Sequence, residues 1–161
     1  MRIVKIAIYL ISILIIQNVL LGRINIFGGF PDLILTSIII FSVLTEIESA
    51  TIFAFLAAFS AELLGYGVFV SLLSKVLMAV SANILRDSFW DDKFSLSLCF
   101  VTIFTPITLC LEAWILGFFF GHNFLLWGFM GTIISSTILN SLMVFVLFPI
   151  IKRLSNNDQD K

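Results

Sequence analysis

Three ionisable side chains interrupt apolar stretches of the sequence: Glu62, Lys75 and Glu112. Such groups are costly inside a membrane, so they pair with one another, line a cavity or carry protons. At about 100° per residue, each lies on the small or polar face of its helix, as Glu112 does with Thr105 and Thr108. We expect Lys75 to pair with one glutamate as a structural tie between helices. The alternatives are a cavity or docking groove for a ligand or a partner's helix, and a proton relay.

A second pattern of small and polar residues runs through the last apolar segment. Gly128, Thr132, Ser136 and Asn140 recur at a spacing of four, which places them on one face of a helix. Small residues on such a face let two helices approach closely. We therefore expect this stripe to pack inside the protein rather than to bind a partner.

The composition explains why these groups are unusual. The chain has 161 residues, of which 60% are apolar and 12% charged, with a mean hydropathy of +1.15. A water-soluble globular domain is excluded, since its apolar fraction is about 45–50%. Nine Lys and Arg residues against ten Asp and Glu residues leave no basic surplus, so no nucleic-acid partner is expected. The sequence has no phosphate-binding glycine loop and no zinc-binding helix motif, and we predict neither enzymatic activity nor a cofactor or metal.

Short polar breaks divide the chain into six apolar segments. The predicted spans are 3–21, 33–44, 50–64, 68–85, 94–120 and 124–151. The second and third reach only about 18–22 Å as helices, against a hydrocarbon core of about 30 Å. They must borrow flanking residues, thin the bilayer or shelter inside the bundle. Joining them into one helix would place Glu46 and Glu48 near the bilayer centre, so six spans cost less.

The basic residues predict the orientation, because Lys and Arg near span ends favour the cytoplasm. With six spans and a cytoplasmic N-terminus, only Arg23 falls outside the cell. The residues on the cytoplasmic side are then Arg2, Lys5, Arg86, Lys93, Lys152, Arg153 and Lys161. The predicted fold is an all-α integral membrane protein: a single bundle of about six transmembrane helices over residues 1–153, both termini cytoplasmic, with a disordered tail at 154–161. The three intramembrane charges then lie in the outer half of the membrane.

Three short motifs mark the first three segments. They are Gln17 and Asn18 late in the first, Gly28 and Gly29 leading into Pro31, Asp32 and Leu33 at the start of the second, and Ala61, Glu62, Leu63, Leu64, Gly65, Tyr66 and Gly67 at the end of the third. In this order they resemble the rod shape-determining membrane protein family MreD, over essentially the whole chain. Many members carry Asp where this chain has Glu62, and a Gly-rich third span where this chain uses Ala. Pro31 and Asp32 also suit a helix start, where the helix dipole stabilises the carboxylate.

The resemblance implies a non-enzymatic subunit of the bacterial cell-elongation machinery in the inner membrane. Such a subunit binds the bitopic membrane protein MreC. Through MreC it couples MreB filaments to peptidoglycan synthesis by a RodA-type glycosyltransferase and a class B penicillin-binding transpeptidase, and so helps to regulate cell shape.

A second family offers an alternative. Six short spans also resemble the substrate-binding membrane subunit (S component) of an energy-coupling-factor vitamin transporter, in which the three ionisable residues would line an outward-facing pocket. That family usually carries an Ala-rich docking stripe in its first span, and residues 6–16 here have none. An ion or proton channel is the third interpretation, but no polar stripe runs through the full membrane depth.

Overall fold

The structure is a computed structural model that describes residues 2–20, 26, 28–64, 70–89, 92–121 and 126–155. Within these residues the fold is all-helical, as predicted, with six α-helices and no strand beyond one isolated bridge between Ile26 and Gly29. The helices are α1 (Arg2–Ile15), α2 (Leu33–Leu44), α3 (Ile47–Leu64), α4 (Val70–Arg86), α5 (Lys93–Phe120) and α6 (Leu126–Ser155). A single π-helical turn, Ile16–Leu20, follows α1.

Three of the helices are long and apolar enough to cross a membrane. Their apolar windows lie within Ile47–Leu64, Lys93–Phe119 and Gly128–Ser155. Helix α2 has the bounds that the sequence predicts, whereas α3 begins at Ile47 rather than at Ala50. The short third segment thus borrows flanking residues, one of the three expected solutions. Helix α6 continues to Ser155, beyond the predicted domain end at 153, and 156–161 of the predicted tail lie outside the described residues.

The short helix α2 forms the centre of the bundle. Eleven of its twelve residues are buried. It packs against α3, α4, α5 and α6. An apolar surface on all sides is typical of a helix surrounded by protein. The second segment therefore solves its length problem by sheltering inside the bundle, and its length of about 18 Å no longer has to match the bilayer.

Helix α1 lies at the periphery. Apart from Ile13 and Leu14, its described side chains are partly or largely exposed. The large exposed apolar side chains of α1 are Val4, Ile8, Ile11 and Ile15. A groove of about 640 Å³ separates α1 from α3, and we call it the α1–α3 groove.

Several helix ends meet at one end of the bundle, which we call the Arg86 end. The Arg86 guanidinium donates a hydrogen bond to the Thr45 carbonyl just after α2. Ser155 Oγ, at the end of α6, lies 3.5 Å from the Leu44 carbonyl oxygen. Gln17 contacts Ile34, and Tyr9 contacts Ser37 further along α2, so the chain runs antiparallel to α2 and α1 begins at this end as well. The first and last described turns of the chain therefore lie on the same side of the bundle.

Candidate functional site

The centre of the site is an ion pair between α4 and the start of α2. Lys75 Nζ lies 3.0 Å from Asp32 Oδ2, and the two side chains are only 8% and 19% exposed. A buried pair of this kind is stable only when further hydrogen bonds satisfy its remaining polar atoms.

Asp32 is held from three directions. As the N-cap of α2, its Oδ1 accepts a hydrogen bond from the Leu35 amide at 2.9 Å. The same oxygen lies 3.3 Å from Gln17 Nε2, which donates to it, and the Asp32 amide donates to Asn140 Oδ1 at 2.6 Å. The carboxylate thus lies at the positive end of the helix dipole, as the Pro-Asp motif predicts, and the backbone amide of Asp32 ties the residue to α6.

Gln17, which lies in the π turn, also binds the start of α2. Its Oε1 accepts a hydrogen bond from the Ile34 amide at 3.1 Å, so one side chain binds both the cap residue and the first turn of α2. Amides in a helix's first turn lack intrahelical partners and must find others when buried. Asn18 is exposed, and within the described part of the chain it donates to the Leu14 carbonyl of α1 alone. Of the two neighbouring motif residues, Gln17 belongs to the site and Asn18 does not.

Asn140 connects the pair to the long helices. Its Nδ2 donates to Thr105 Oγ1 at 3.1 Å, and both residues are almost completely buried, at 0% and 1% exposure. We call Gln17, Asp32, Lys75, Thr105 and Asn140 together the Asp32 network. It joins the π turn, α2, α4, α5 and α6 at one point.

Glu62 and Glu112 flank the network without pairing directly with Lys75. Ser74 Oγ donates to Glu112 Oε1 at 2.8 Å, and the Ser71 amide donates to Glu62 Oε1 at 3.0 Å. Both carboxylates act on Lys75 electrostatically from a greater distance. The expected direct Lys-Glu pair is therefore wrong, because the sheltered start of α2 brings Asp32 closer to the ammonium group.

The other end of α2 has its own polar partners, which the sequence did not reveal. Asn83 Nδ2 donates to the carbonyls of Ser42 and Thr45, each at 2.8 Å, and Arg86 also donates to Thr45. These carbonyls belong to the last turn of the helix and to its C-cap residue, where intrahelical donors run out. A polar Asn inside an apolar segment was the available signal.

The glycine turn before α2 presses directly against α6. A Cβ on Gly29 would lie 2.1 Å from Ser135 Oγ and 2.8 Å from the Ser136 backbone nitrogen. Gly28 has a φ of +83°, and a Cβ there would lie 2.9 Å from Thr132 Oγ1. Only glycines fit this approach, because a side chain would collide with α6.

The small-residue stripe on α6 therefore packs within the protein along most of its length, as expected. The glycine turn packs against Thr132 and Ser136, and Asn140 accepts a hydrogen bond from the Asp32 amide. At Gly128 a Cβ would meet none of the described residues within 4 Å, so no close packing is seen at that position. The expected close packing does not extend to Gly128.

The remaining predicted residues are accounted for as follows. Pro31 is buried directly before the cap of α2. Gly65 and Gly67 lie outside the described residues. Thr105 and Thr108, expected on the face of Glu112, are both buried.

The arrangement is closed rather than open. In the described part of the chain, every buried side-chain nitrogen or oxygen has a hydrogen-bond partner. A network in which each member is satisfied rigidifies its surroundings and favours one arrangement of the core. Chemically, the site can fix the sheltered helix at a defined depth and orientation.

The fold and the site together define an all-helical protein with helices suited to a membrane and a polar tie at its centre. Comparison of the chain with protein-family models, curated proteins and solved structures gives no match.

Proposed function

We propose that the chain is a non-enzymatic subunit of the bacterial cell-elongation complex, a member of the MreD family that binds MreC in the inner membrane. One observation carries the proposal. Gln17 and Asp32, which belong to the motifs of the resemblance, meet Lys75 in one buried network. Motif residues with a common structural task support a resemblance better than separate short matches do.

The proposed topology has six membrane spans with both termini in the cytoplasm. The distribution of charge at the Arg86 end supports it. Arg86 lies there at the end of α4, and Lys152 lies in the last turn of α6, which ends beside Leu44. Basic residues concentrated at one end of a bundle favour the cytoplasmic side for that end.

In this role the protein is a rigid adaptor. The Asp32 network fixes α2 at the centre, and the lipid-facing helices around it present a surface of constant shape to MreC. Through MreC, the protein helps couple MreB filaments to the RodA-type glycosyltransferase and the class B penicillin-binding transpeptidase. The closed polar network supports a scaffold, since a scaffold needs a fixed shape and no reacting group.

The test is affinity purification in mild detergent after crosslinking in cells, at native expression level, with mass spectrometry of the captured proteins. We expect a single-span protein with a coiled-coil outer domain, together with wall-synthesis enzymes. Capture of an ATPase pair with a helical coupling subunit would contradict the proposal and identify the vitamin-transporter subunit instead.

Two neighbouring variants connect capture to the network. Gln17→Ala removes both hydrogen bonds to the start of α2, whereas Asn18→Ala removes one local bond on the exposed side of the same turn. Normalised to folded protein, Gln17→Ala should capture less MreC than Asn18→Ala does. Equal capture of MreC by the two variants would show that MreC binding does not depend on the Asp32 network.

A further inference from the structure

Three carboxyl groups surround one ammonium group, that of Lys75, in the described part of the chain. Asp32 contacts Lys75 directly, whereas Glu62 and Glu112 act on it from a greater distance. Because the Asp32–Lys75 pair is neutral, ionisation of both glutamates would add two negative charges that this pair does not offset. An uncompensated charge is costly in an apolar interior, and a carboxyl group avoids the cost by binding a proton.

Two of the three carboxyl groups accept hydrogen bonds from N–H groups. Asp32 accepts from the Leu35 amide and from Gln17 Nε2. Glu62 accepts from the Ser71 amide, in the first turn of α4, where the positive end of the helix dipole also lies. An N–H group can only donate, so these contacts favour the ionised carboxylate.

Glu112 contacts hydroxyl groups instead. Its Oε1 lies 2.8 Å from Ser74 Oγ, and the Ser71 side chain also forms a hydrogen bond with it. Among the described residues, these partners include neither an N–H group nor a cation. A hydroxyl group can donate to a carboxylate or accept from a carboxylic acid. Of the three carboxyl groups, Glu112 therefore has the partners that best suit a bound proton.

The Ser74 hydroxyl group has one hydrogen but two short contacts. Its Oγ lies 2.8 Å from Glu112 Oε1 and 3.0 Å from the Ser71 carbonyl oxygen. While Glu112 is ionised, neither of these oxygens can supply a hydrogen, so the one on Ser74 must serve both contacts. When Glu112 carries a proton, it donates to Ser74 Oγ, and Ser74 donates to the Ser71 carbonyl. Each contact then has a hydrogen of its own.

The charged groups around Glu112 do not favour its ionised form strongly. Lys75 of α4 attracts the carboxylate and Asp32, at the start of α2, repels it. Since these two charges form one pair, their effects on Glu112 oppose each other. Glu62 of α3 adds a further negative charge beside Lys75. The charged residues of α6 in the described part of the chain lie in its last turn, at the Arg86 end.

We propose that Glu112 is a reversible proton-binding site of the folded bundle, occupied at neutral pH, with its hydrogen donated to Ser74. The proton comes from water and forms an O–H bond with the carboxylate, while the Ser74 hydrogen turns from Glu112 to the Ser71 carbonyl. Release of the proton returns a negative charge to the contact between α4 and α5, so this contact depends on pH. The inference is independent of the proposed function, since it depends only on these hydrogen bonds and charges.

Infrared spectroscopy of the full chain in mild detergent at neutral pH tests the proposal. We expect wild type to show the C=O stretching band of a protonated carboxylic acid, which lies apart from the carboxylate bands and shifts in D₂O. Glu112→Gln should lose this band. Glu62→Gln and Glu48→Gln should keep it and lose carboxylate intensity instead, because Glu62 accepts from an amide and Glu48 is exposed.

A serine variant tests the partner of the bound proton. Ser74→Ala removes the hydroxyl group that accepts the hydrogen of Glu112, so the acid band should shift. Ser12→Ala is the control, because it removes a hydroxyl group that is bonded within α1, on an exposed surface. It should leave the band where it is in wild type.

The pH dependence of stability supplies the magnitude. Unfolding exposes Glu112 to water, where a glutamate is ionised at neutral pH, so unfolding releases the bound proton. Relative to Glu112→Gln, the folded-to-unfolded ratio of wild type should therefore fall by up to about tenfold per pH unit above the range in which an ordinary glutamate titrates. Titration with denaturing detergent at several pH values measures this slope, and Glu48→Gln should keep the wild-type slope.

Four results would overturn the proposal. They are a wild-type spectrum without an acid band at neutral pH, an acid band that persists in Glu112→Gln, an acid band that does not shift in Ser74→Ala, and equal pH slopes for wild type and Glu112→Gln. If Glu112→Gln does not fold, the wild-type chain decides alone. Its acid band must then convert into carboxylate intensity as the pH is raised, and a band that stays unchanged would exclude a reversible site.

Discussion

Helices α1 and α2 are both short and apolar, yet they occupy opposite environments. Helix α1 has 14 residues and buries only Ile13 and Leu14 among its described side chains, whereas α2 has 12 residues and buries eleven of them. The difference lies at the helix ends. Asp32, Gln17 and Asn83 satisfy the terminal backbone groups of α2 from within the bundle. A helix sheltered from both water and lipid needs such partners, because its unpaired end groups have no solvent to bind.

The largest expected effect concerns the ion pair that ties the start of α2. Lys75→Met leaves the Asp32 carboxylate buried without its cation, which should lower the free energy of unfolding by about 3–5 kcal/mol. Unfolding in a titration with denaturing detergent, followed by tryptophan fluorescence, measures the change. Lys93→Gln is the control, because Lys93 is exposed at the start of α5. Equal stability of the two variants would argue against a buried pair.

Truncating one isoleucine in each helix compares the two environments directly. Ile38 of α2 is 0% exposed and Ile8 of α1 is 60% exposed. Ile38→Ala should lower the free energy of unfolding by about 2–5 kcal/mol, since it leaves a cavity in a packed core. Ile8→Ala should change it by less than about 0.5 kcal/mol, as surface substitutions usually do. The same titration decides, and a similar loss in both variants would mean that α1 is packed as tightly as α2.

Two glycine-to-alanine variants test the close packing of the turn that precedes α2. Gly29→Ala forces a methyl group against Ser135 and the backbone of Ser136, and should cost about 1–3 kcal/mol. Gly128→Ala adds the same methyl group where a Cβ has no neighbour within 4 Å. Alanine is favoured over glycine inside a helix, so this control should be neutral or stabilising by up to about 1 kcal/mol. Equal thermal unfolding temperatures in mild detergent would contradict the close approach.

The smallest effect is expected at an exposed helix cap, in contrast to the buried cap of α2. The hydrogen bond from the Ser95 side chain holds the pKa of Asp92 below its ordinary range, helped by the amides of Phe94 and Ser95. The ionised carboxylate therefore stabilises the fold above its ordinary pKa, and this contribution is lost as the pH falls through the lowered value. The melting temperatures of wild type and Asp92→Ala should differ slightly at neutral pH and converge in acid. A difference that is constant with pH would exclude the cap's ionisation as its cause.

The sequence predicts the helices well and their environments poorly. The apolar run that became α2 has the same bounds in the sequence and in the structure. Its burial was only one of three possibilities, since an apolar residue suits lipid and protein core equally. The exposed residues of α1 look no different in the sequence from the buried residues of α2.

The sequence predicted several residues of the site but not the contacts between them. The Pro-Asp motif predicts the cap of α2, and spacing predicts that Lys75 faces other helices. Asp32 and Asn140, however, are 108 residues apart, and their contact depends on how deep α2 sits in the bundle. That depth follows from the packing of five elements together, which no local pattern encodes. The prediction that Lys75 pairs with a glutamate was wrong for the same reason.

The central claim is that the Asp32–Lys75 pair holds α2 inside the bundle, and a double-mutant cycle tests it most directly. Asp32→Asn keeps a residue able to cap the helix but removes the charge, and Lys75→Met removes the cation. We predict that each single variant is strongly destabilised and that the double variant recovers most of the loss, because no unpaired charge stays buried. If the losses of free energy of unfolding in the two single variants add up to the loss in the double variant within about 0.5 kcal/mol, the account is contradicted, since independent sites behave in that way.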